Sequence, residues 1–183
     1  MTTTKAGREL RKLVTPRVIA SLEALQRLPP TKALKFRWKE KIDGFVFLAS
    51  DNTPHAYANL CSHVAVEMDL NDGDFFSNHG VIQCKVHGAM FDPESGLCLR
   101  PPPQCKLLHP LRRIPVVVEL GNVLLTNTSS IDTSKYDEDY RRQKQRELHE
   151  KLNADADAIQ KEIEAINQRS LRLIQSRKAP KDA

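Results

Sequence analysis

Four residues in two short pairs constrain this chain more than anything else in it. The pairs are Cys61-Ser62-His63 and, after 20 intervening residues, Cys84-Lys85-Val86-His87 with Gly88 behind it. Thiolate and imidazole are the usual side-chain donors to soft and borderline transition metals. Two Cys and two His can make a tetrahedral zinc site. Zinc fingers usually pair like with like, however, C-x₂₋₄-C and then H-x₃₋₅-H, whereas both pairs here are mixed.

The second pair continues into Ala89-Met90-Phe91-Asp92, Gly96 and the proline run Pro101-Pro102-Pro103. With that context the chain resembles the Rieske [2Fe–2S] proteins, in a short, ferredoxin-type bacterial form. The resemblance covers roughly residues 34–126, about half the chain. It implies an antiparallel β-sandwich with two cluster-binding loops at the tips of neighbouring hairpins and a proline loop over the cluster. It also implies one [2Fe–2S] cluster per chain, with Cys61 and Cys84 on the inner iron and His63 and His87 on the outer one. The cofactor would then carry the chemistry, which is one-electron transfer. Gly88 stands where a glycine lets the backbone come close to a cluster. The free imidazole nitrogens would face solvent between the loops.

The departures from the family pattern are informative. Rieske proteins of respiratory complexes carry a further cysteine in each loop, joined as a disulfide; Val66 and Val86 stand at those positions. They also place a Ser and a Tyr hydroxyl on the cluster and its ligand sulfur, where this chain has Ala89 and Phe91. Ala65 replaces a common glycine. Fewer hydrogen bonds to sulfur leave the reduced cluster's charge less stabilised, so the potential is expected near the low end of the Rieske range, roughly −150 mV. Asn71-Asp72-Gly73-Asp74 and Ser77-Asn78-His79-Gly80 read as turns within the long gap between the pairs.

Other candidate ligands are weaker. Cys98 and Cys105 flank the proline loop and are expected as reduced, buried thiols. His55, His79, His109 and His149 read as surface or loop histidines.

Three domains are expected. Residues 1–31 form a helical segment, with Leu10, Leu13, Val14, Val18, Ile19, Leu22 and Leu25 at helical spacing, Thr15-Pro16 as a cap and first position, and Pro29-Pro30 as a stop. Residues 32–128 form the β domain. Leu34, Phe36 and Trp38 alternate with basic residues, and Asp43-Gly44 reads as a hairpin turn before Phe45-Val46-Phe47-Leu48. Val81-Ile82-Gln83 leads into Cys84, and Ile114 to Leu120 precedes a Gly121-Asn122 turn and Val123-Leu124-Leu125. Residues 129–183 form a charged amphipathic helix and tail, with one apolar stripe from Leu148 through Leu152, Ala156, Ile159, Ile163, Ile166 and Ser170 to Ile174. Such a helix rarely stands alone in water, which suggests that it folds back on the β domain, packs on the N-terminal helix, or forms a homodimer through helical segments.

Charge excludes some functions. The formal net charge is +5, and residues 1–31 carry six basic against two acidic side chains. The β domain is balanced, which gives no electrostatic case for nucleic acid. No apolar run is long enough to span a bilayer and no signal core opens the chain, so a soluble cytoplasmic protein is expected. The reading is a soluble one-electron carrier between redox-protein donor and acceptor, for example in an oxygenase system. The alternatives are an electron-transfer subunit docked in a larger oxidoreductase, or an iron–sulfur redox sensor. A complete oxygenase would need a second iron site with two His and a carboxylate, and His149 is the only histidine beyond residue 128.

Overall fold

The computed structural model describes residues 17–126 and 133–178, which fall into two compact units divided after Thr133. The first unit is mainly antiparallel β. Its described strands form three sheets of three. In one sheet β1 (Arg17–Ser21) pairs with β9 (Asn122–Leu125), which pairs with β8 (Val116–Glu119). In the second, β2 (Leu34–Lys39), β3 (Ile42–Leu48) and β4 (Pro54–Ala58) form a meander. In the third, β5 (Ile82–Gln83), β6 (Met90–Phe91) and β7 (Cys98–Arg100) follow in order.

The period-2 pattern of β3 organises the interior. Phe45 and Phe47 point into one core with Tyr57, Met68, Phe75, Ile82 and Phe91. Val46, between them, points into a second core with Ala20, Leu25, Ala56, Ile114 and Val123. Phe45 is stacked on Phe75 at 4.1 Å between centroids, and Phe76 meets Phe47 edge-on at 4.8 Å. Aromatic pairs add about 0.5–1.5 kcal/mol beyond area burial. Phe75 and Phe76 belong to the segment between the two Cys/His pairs, so the core fixes that segment to the scaffold beneath the pairs.

Two turn assignments made from sequence shift by a residue or more. The β2–β3 turn is Glu40-Lys41, and Asp43-Gly44 lies inside β3, paired with Arg37 and Phe36. Gly44 is there for space. A Cβ at that position would sit 2.6 Å from Phe36 Cζ and 2.8 Å from Ile114 Cδ1. The β8–β9 loop is Leu120-Gly121, with φ +49 and +76, because Glu119 pairs with Asn122. Two successive positive φ values match the twist of a two-residue hairpin.

The N-terminal helix is shorter than its periodicity predicts. Helix α1 spans Leu22–Gln26, capped by Ser21, whose Oγ accepts from Ala24 N at 3.1 Å. Val18 and Ile19 lie in β1 instead of on a helix face. Both are β-branched, and the β9 edge offers β1 a ladder that the helix reading could not foresee. The expectations for Leu10, Leu13, Val14, Thr15 and Pro16 lie outside the described residues.

The described residues of the second unit hold one long helix, α2 (Glu138–Lys178), preceded by Asp137, whose Oδ1 accepts from Tyr140 N at 2.9 Å. Bonds at i,i+4 spacing such as Gln143–Glu147 and Gln160–Glu164 line its surface. Ile159, Ile163, Ile166 and Ile174 are exposed. No described helix is long and apolar enough to cross a membrane.

Replacing Gly44 by alanine should overpack the contact between Phe36 and Ile114. We expect a loss of about 1–3 kcal/mol in urea unfolding, the usual cost of added volume in a packed core.

Candidate metal centre

The two Cys/His pairs come from different sheets. The first follows β4. Asn59 N–H still bonds Asp43 O at 2.8 Å, and the chain then leaves the sheet through Cys61 and His63. The second is the loop between β5 and β6, whose last ladder pair is Gln83 with Met90. Cys84 N–H bonds Ala89 O at 2.9 Å, and Gly88 N–H returns to Cys84 O at 2.8 Å. Gly88 has φ +74, a backbone state that costs a side-chain-bearing residue energy, and no protein atom lies within 4 Å of where its Cβ would be. Its conformation, required to close the loop, accounts for the glycine.

The structure sorts the four residues by type. The thiols of Cys61 and Cys84 are neighbours that interact directly, and both cysteines are buried. The rings of His63 and His87 meet edge-on, with centroids 4.9 Å apart and planes at 89°. The two thiols perturb each other, so that Cys84 is held below its ordinary value by Cys61 while Cys84 and burial push Cys61 up. The N–H groups of His63 and Val64 favour the charged form of Cys61, and those of Val86 and His87 the charged form of Cys84. Each sulfur is thus favoured as an anion by the amides two and three positions ahead of it in its own loop. Among the described residues, no three Cys, His, Asp or Glu side chains gather as they would around a single metal ion.

His63 and His87 differ in surroundings. His87 is exposed, as expected. His63 is half-buried, and its outward nitrogen meets a thiol instead of solvent: Nε2 lies 3.5 Å from Cys105 Sγ. The other nitrogen, Nδ1, is buried with no hydrogen-bond partner. A buried ring nitrogen without a partner is costly unless something else uses its lone pair. Two sulfurs side by side and two imidazoles side by side suit a two-iron cluster with unlike ligands on its irons.

Sequence reasoning missed the residues that hold the loops. Asn59 Nδ2 donates to Asp69 Oδ1 at 2.8 Å, and Asn59 Oδ1 accepts from Met68 N at 2.9 Å. Asp69 is fully buried and also accepts from Gly73 N at 3.0 Å and pairs with Lys35 at 3.2 Å. This clasp closes the loop that carries Cys61 and His63. Lys85, inside the second pair, is ion-paired to Asp72 and to Asp74 at 3.3 Å, and its N–H bonds Met68 O at 2.9 Å. Asp74 in turn meets Lys32 at 2.9 Å and is held at about 2, chiefly by Lys32 and Thr31. The segment between the pairs thus braces both loops. Only an asparagine just after a mostly apolar strand hinted at this.

The remaining candidates lie elsewhere. His55 is buried in β4, where Nδ1 accepts from Arg113 at 2.7 Å and Nε2 meets Thr53 Oγ1 at 3.0 Å. His79 is in the Ser77–Gly80 turn, and His109 and His149 are exposed. Cys98 is buried and Cys105 half-buried; no disulfide joins them. Ala89 and Phe91 are fully buried, and neither brings a hydroxyl.

The family model of the Rieske [2Fe-2S] domain matches residues 23–116, just over half of the chain. The chain therefore belongs to the Rieske [2Fe–2S] domain family, and its cofactor is a [2Fe–2S] cluster. No curated protein matches it. Among solved structures it is similar to the ferredoxin of carbazole 1,9a-dioxygenase from Nocardioides aromaticivorans IC177, at 28% identity over 61% of this chain and 97% of that one, with a TM-score of 0.45. It is also similar to the Sphingomonas yanoikuyae B1 ferredoxin, at 19% identity over 61% and 98%, TM-score 0.46. A third is the Rieske protein PetC3 of the plasma membrane of Synechocystis PCC 6803, at 19% identity over 60% and 98%, TM-score 0.47.

The Asp69 clasp gives a pH-dependent signature. Burial raises the Asp69 carboxyl, but the bonds from Asn59, Gly73 and Lys35 outweigh it and hold the group below its ordinary 3.8. A carboxyl lowered on folding adds stability above its unfolded value and loses it as pH falls through the folded one. Asp69→Asn should cost about 2 kcal/mol near neutral pH, the scale of a buried charge-assisted bond. In urea titrations at a series of pH values, the gap from the parent should close below the ordinary 3.8.

Proposed function

We propose that this chain is a one-electron carrier in which Cys61 and Cys84 bind one iron of the cluster and His63 and His87 the other. The observation that carries the assignment is the sorting of the four side chains, thiol beside thiol and ring beside ring, with His63 Nδ1 buried and without a hydrogen-bond partner. When bound, the cluster supplies one-electron chemistry. The protein's part is to hold it, tune it and present it. The N–H groups of His63, Val64, Val86 and His87 offset negative charge on the two cysteine sulfurs. His87 gives the exposed ring edge, and Val64, Val86 and Leu107 are exposed apolar residues in the same loops and the proline loop. An apolar patch around a charged-cofactor edge suits a transient protein partner. Donor and acceptor are therefore redox proteins, and the acceptor class we propose is the terminal component of an oxygenase system.

Purified protein should contain two irons and two sulfides per chain, the content of a Rieske [2Fe–2S] domain. Dithionite reduction should give a rhombic electron paramagnetic resonance spectrum with an average g below that of all-cysteine clusters. Cys84→Ser or His87→Cys should abolish or severely disturb it. Colourless protein carrying zinc after expression with adequate iron would overturn the assignment.

A low potential follows from Ala89 and Phe91, which leave the sulfurs two hydroxyl donors short. Voltammetry should place the midpoint in the lower part of the Rieske range, roughly −150 mV. Ala89→Ser with Phe91→Tyr should raise it.

The exposed stripe on α2 supports a second proposal, a homodimer through that helix. Ile159, Ile163 and Ile166 lie on one helical face, all exposed. Light scattering on the full chain should give twice the mass of one chain, and Ile163→Glu with Ile166→Glu should return it to one while leaving the iron content unchanged.

A further inference from the structure

The proline loop carries a cysteine that the electron-carrier reading leaves without a role. Cys105 Sγ lies 3.5 Å from His63 Nε2, the nitrogen on the far side of the ring from the buried Nδ1 that has no hydrogen-bond partner. The geometry points to Cys105 as a positioning residue, whose sulfur accepts a hydrogen bond from His63 Nε2–H and so fixes the tautomer and ring orientation that leave Nδ1 to the iron. This rests on the reading of His63 as a cluster ligand.

The chemistry requires such a partner. A neutral imidazole has one N–H and one lone pair, and a metal at one nitrogen leaves the proton on the other. Metal-bound histidines almost always give that N–H to an acceptor, which orients the ring and makes it a stronger donor to the metal. A sulfur is a weak acceptor, but it is the one the fold supplies.

The loop is built to hold it there. Cys105 N–H bonds Pro102 O at 3.1 Å, closing a turn over Pro103 and Gln104. Gln104 has φ +64, an uncommon state for a residue other than glycine. Pro102 is buried, which fixes the start of the turn. Beyond Cys105, His109 O accepts from Ser62 Oγ at 2.8 Å. The proline loop is thereby fastened to the first ligand loop at two neighbouring residues, Ser62 through its hydroxyl and His63 through its ring. His87 is exposed, so the two imidazoles are unequal: one is oriented from within the chain, and the other is left to solvent or a partner.

The test compares the full-length protein with Cys105→Ala and Cys105→Ser, each purified with its cluster. The readouts are iron and sulfide content, midpoint potential, and pulsed electron paramagnetic resonance of ¹⁵N-histidine-labelled reduced samples. Losing the acceptor weakens His63 as a donor, so Cys105→Ala should raise the midpoint and change the hyperfine coupling of one histidine nitrogen but not the other. A hydroxyl oxygen keeps an acceptor in place, so Cys105→Ser should lie at or below the parent midpoint, with two couplings like the parent's. If Cys105→Ala holds two irons and two sulfides but matches the parent in midpoint and both couplings, the positioning role is overturned while the carrier reading stands. Midpoints in the reverse order, serine above alanine, also overturn it. If the parent protein itself holds no cluster, both readings fall together.

Discussion

The buried carboxylate of Asp69 is the joint on which the candidate metal centre depends. It takes hydrogen bonds from Asn59, just before the loop, and Gly73, just after it. Lys35 from β2 adds the opposite charge at 3.2 Å. A carboxylate removed from water is costly unless its lone pairs are used, and here three groups from three parts of the chain use them. The loop with Cys61 and His63 is therefore closed by an interaction that tolerates little slack. The second loop is braced against the same segment through Lys85, Asp72 and Asp74. Those exposed ion pairs contribute little energy singly, so they set position more than stability.

Beneath the clasp, the aromatic core does the mechanical work. Phe75 and Phe76 carry the inter-pair segment into the interior, against Phe45 and Phe47 of the central strand. That packing explains why a gap of this length between the pairs does not loosen them. The segment is part of the core cluster that also contains Cys61, Cys84, Ala89 and Phe91. The cysteines are thus core residues as well as the proposed ligands. The histidines lie further out, which is the polarity an electron carrier needs: shielded sulfur inside, a ring edge at the surface.

Much of this was legible in the sequence. The mixed pairs, the glycine after His87 and the Phe91-Asp92 and proline context pointed to the family, and one alternating run located β2 while short apolar runs beside turn signals located β3, β5, β8 and β9. The misreadings have physical causes. Asp43-Gly44 has the composition of a turn, but Gly44 is small because Phe36 and Ile114 press on it. Val18 and Ile19 fit a helical stripe, yet the unpaired edge of β9 takes them as a strand. The long helix α2, without Gly or Pro and rich in charged pairs, followed its pattern closely.

The sequence by itself determined the donor types, their order and spacing, and hence the kind of cofactor, because ligand chemistry resides in side-chain identity and short loops. It also determined the absent hydroxyls at Ala89 and Phe91. Only the tertiary structure decided which donors meet: Cys61 with Cys84, His63 with His87, Cys105 with His63, and Asp69 with Asn59, Gly73 and Lys35. Most of these contacts join residues far apart in the chain, and no local pattern encodes them. They follow from the register of the sheets and the packing of the aromatic core, which fix where each loop begins and ends.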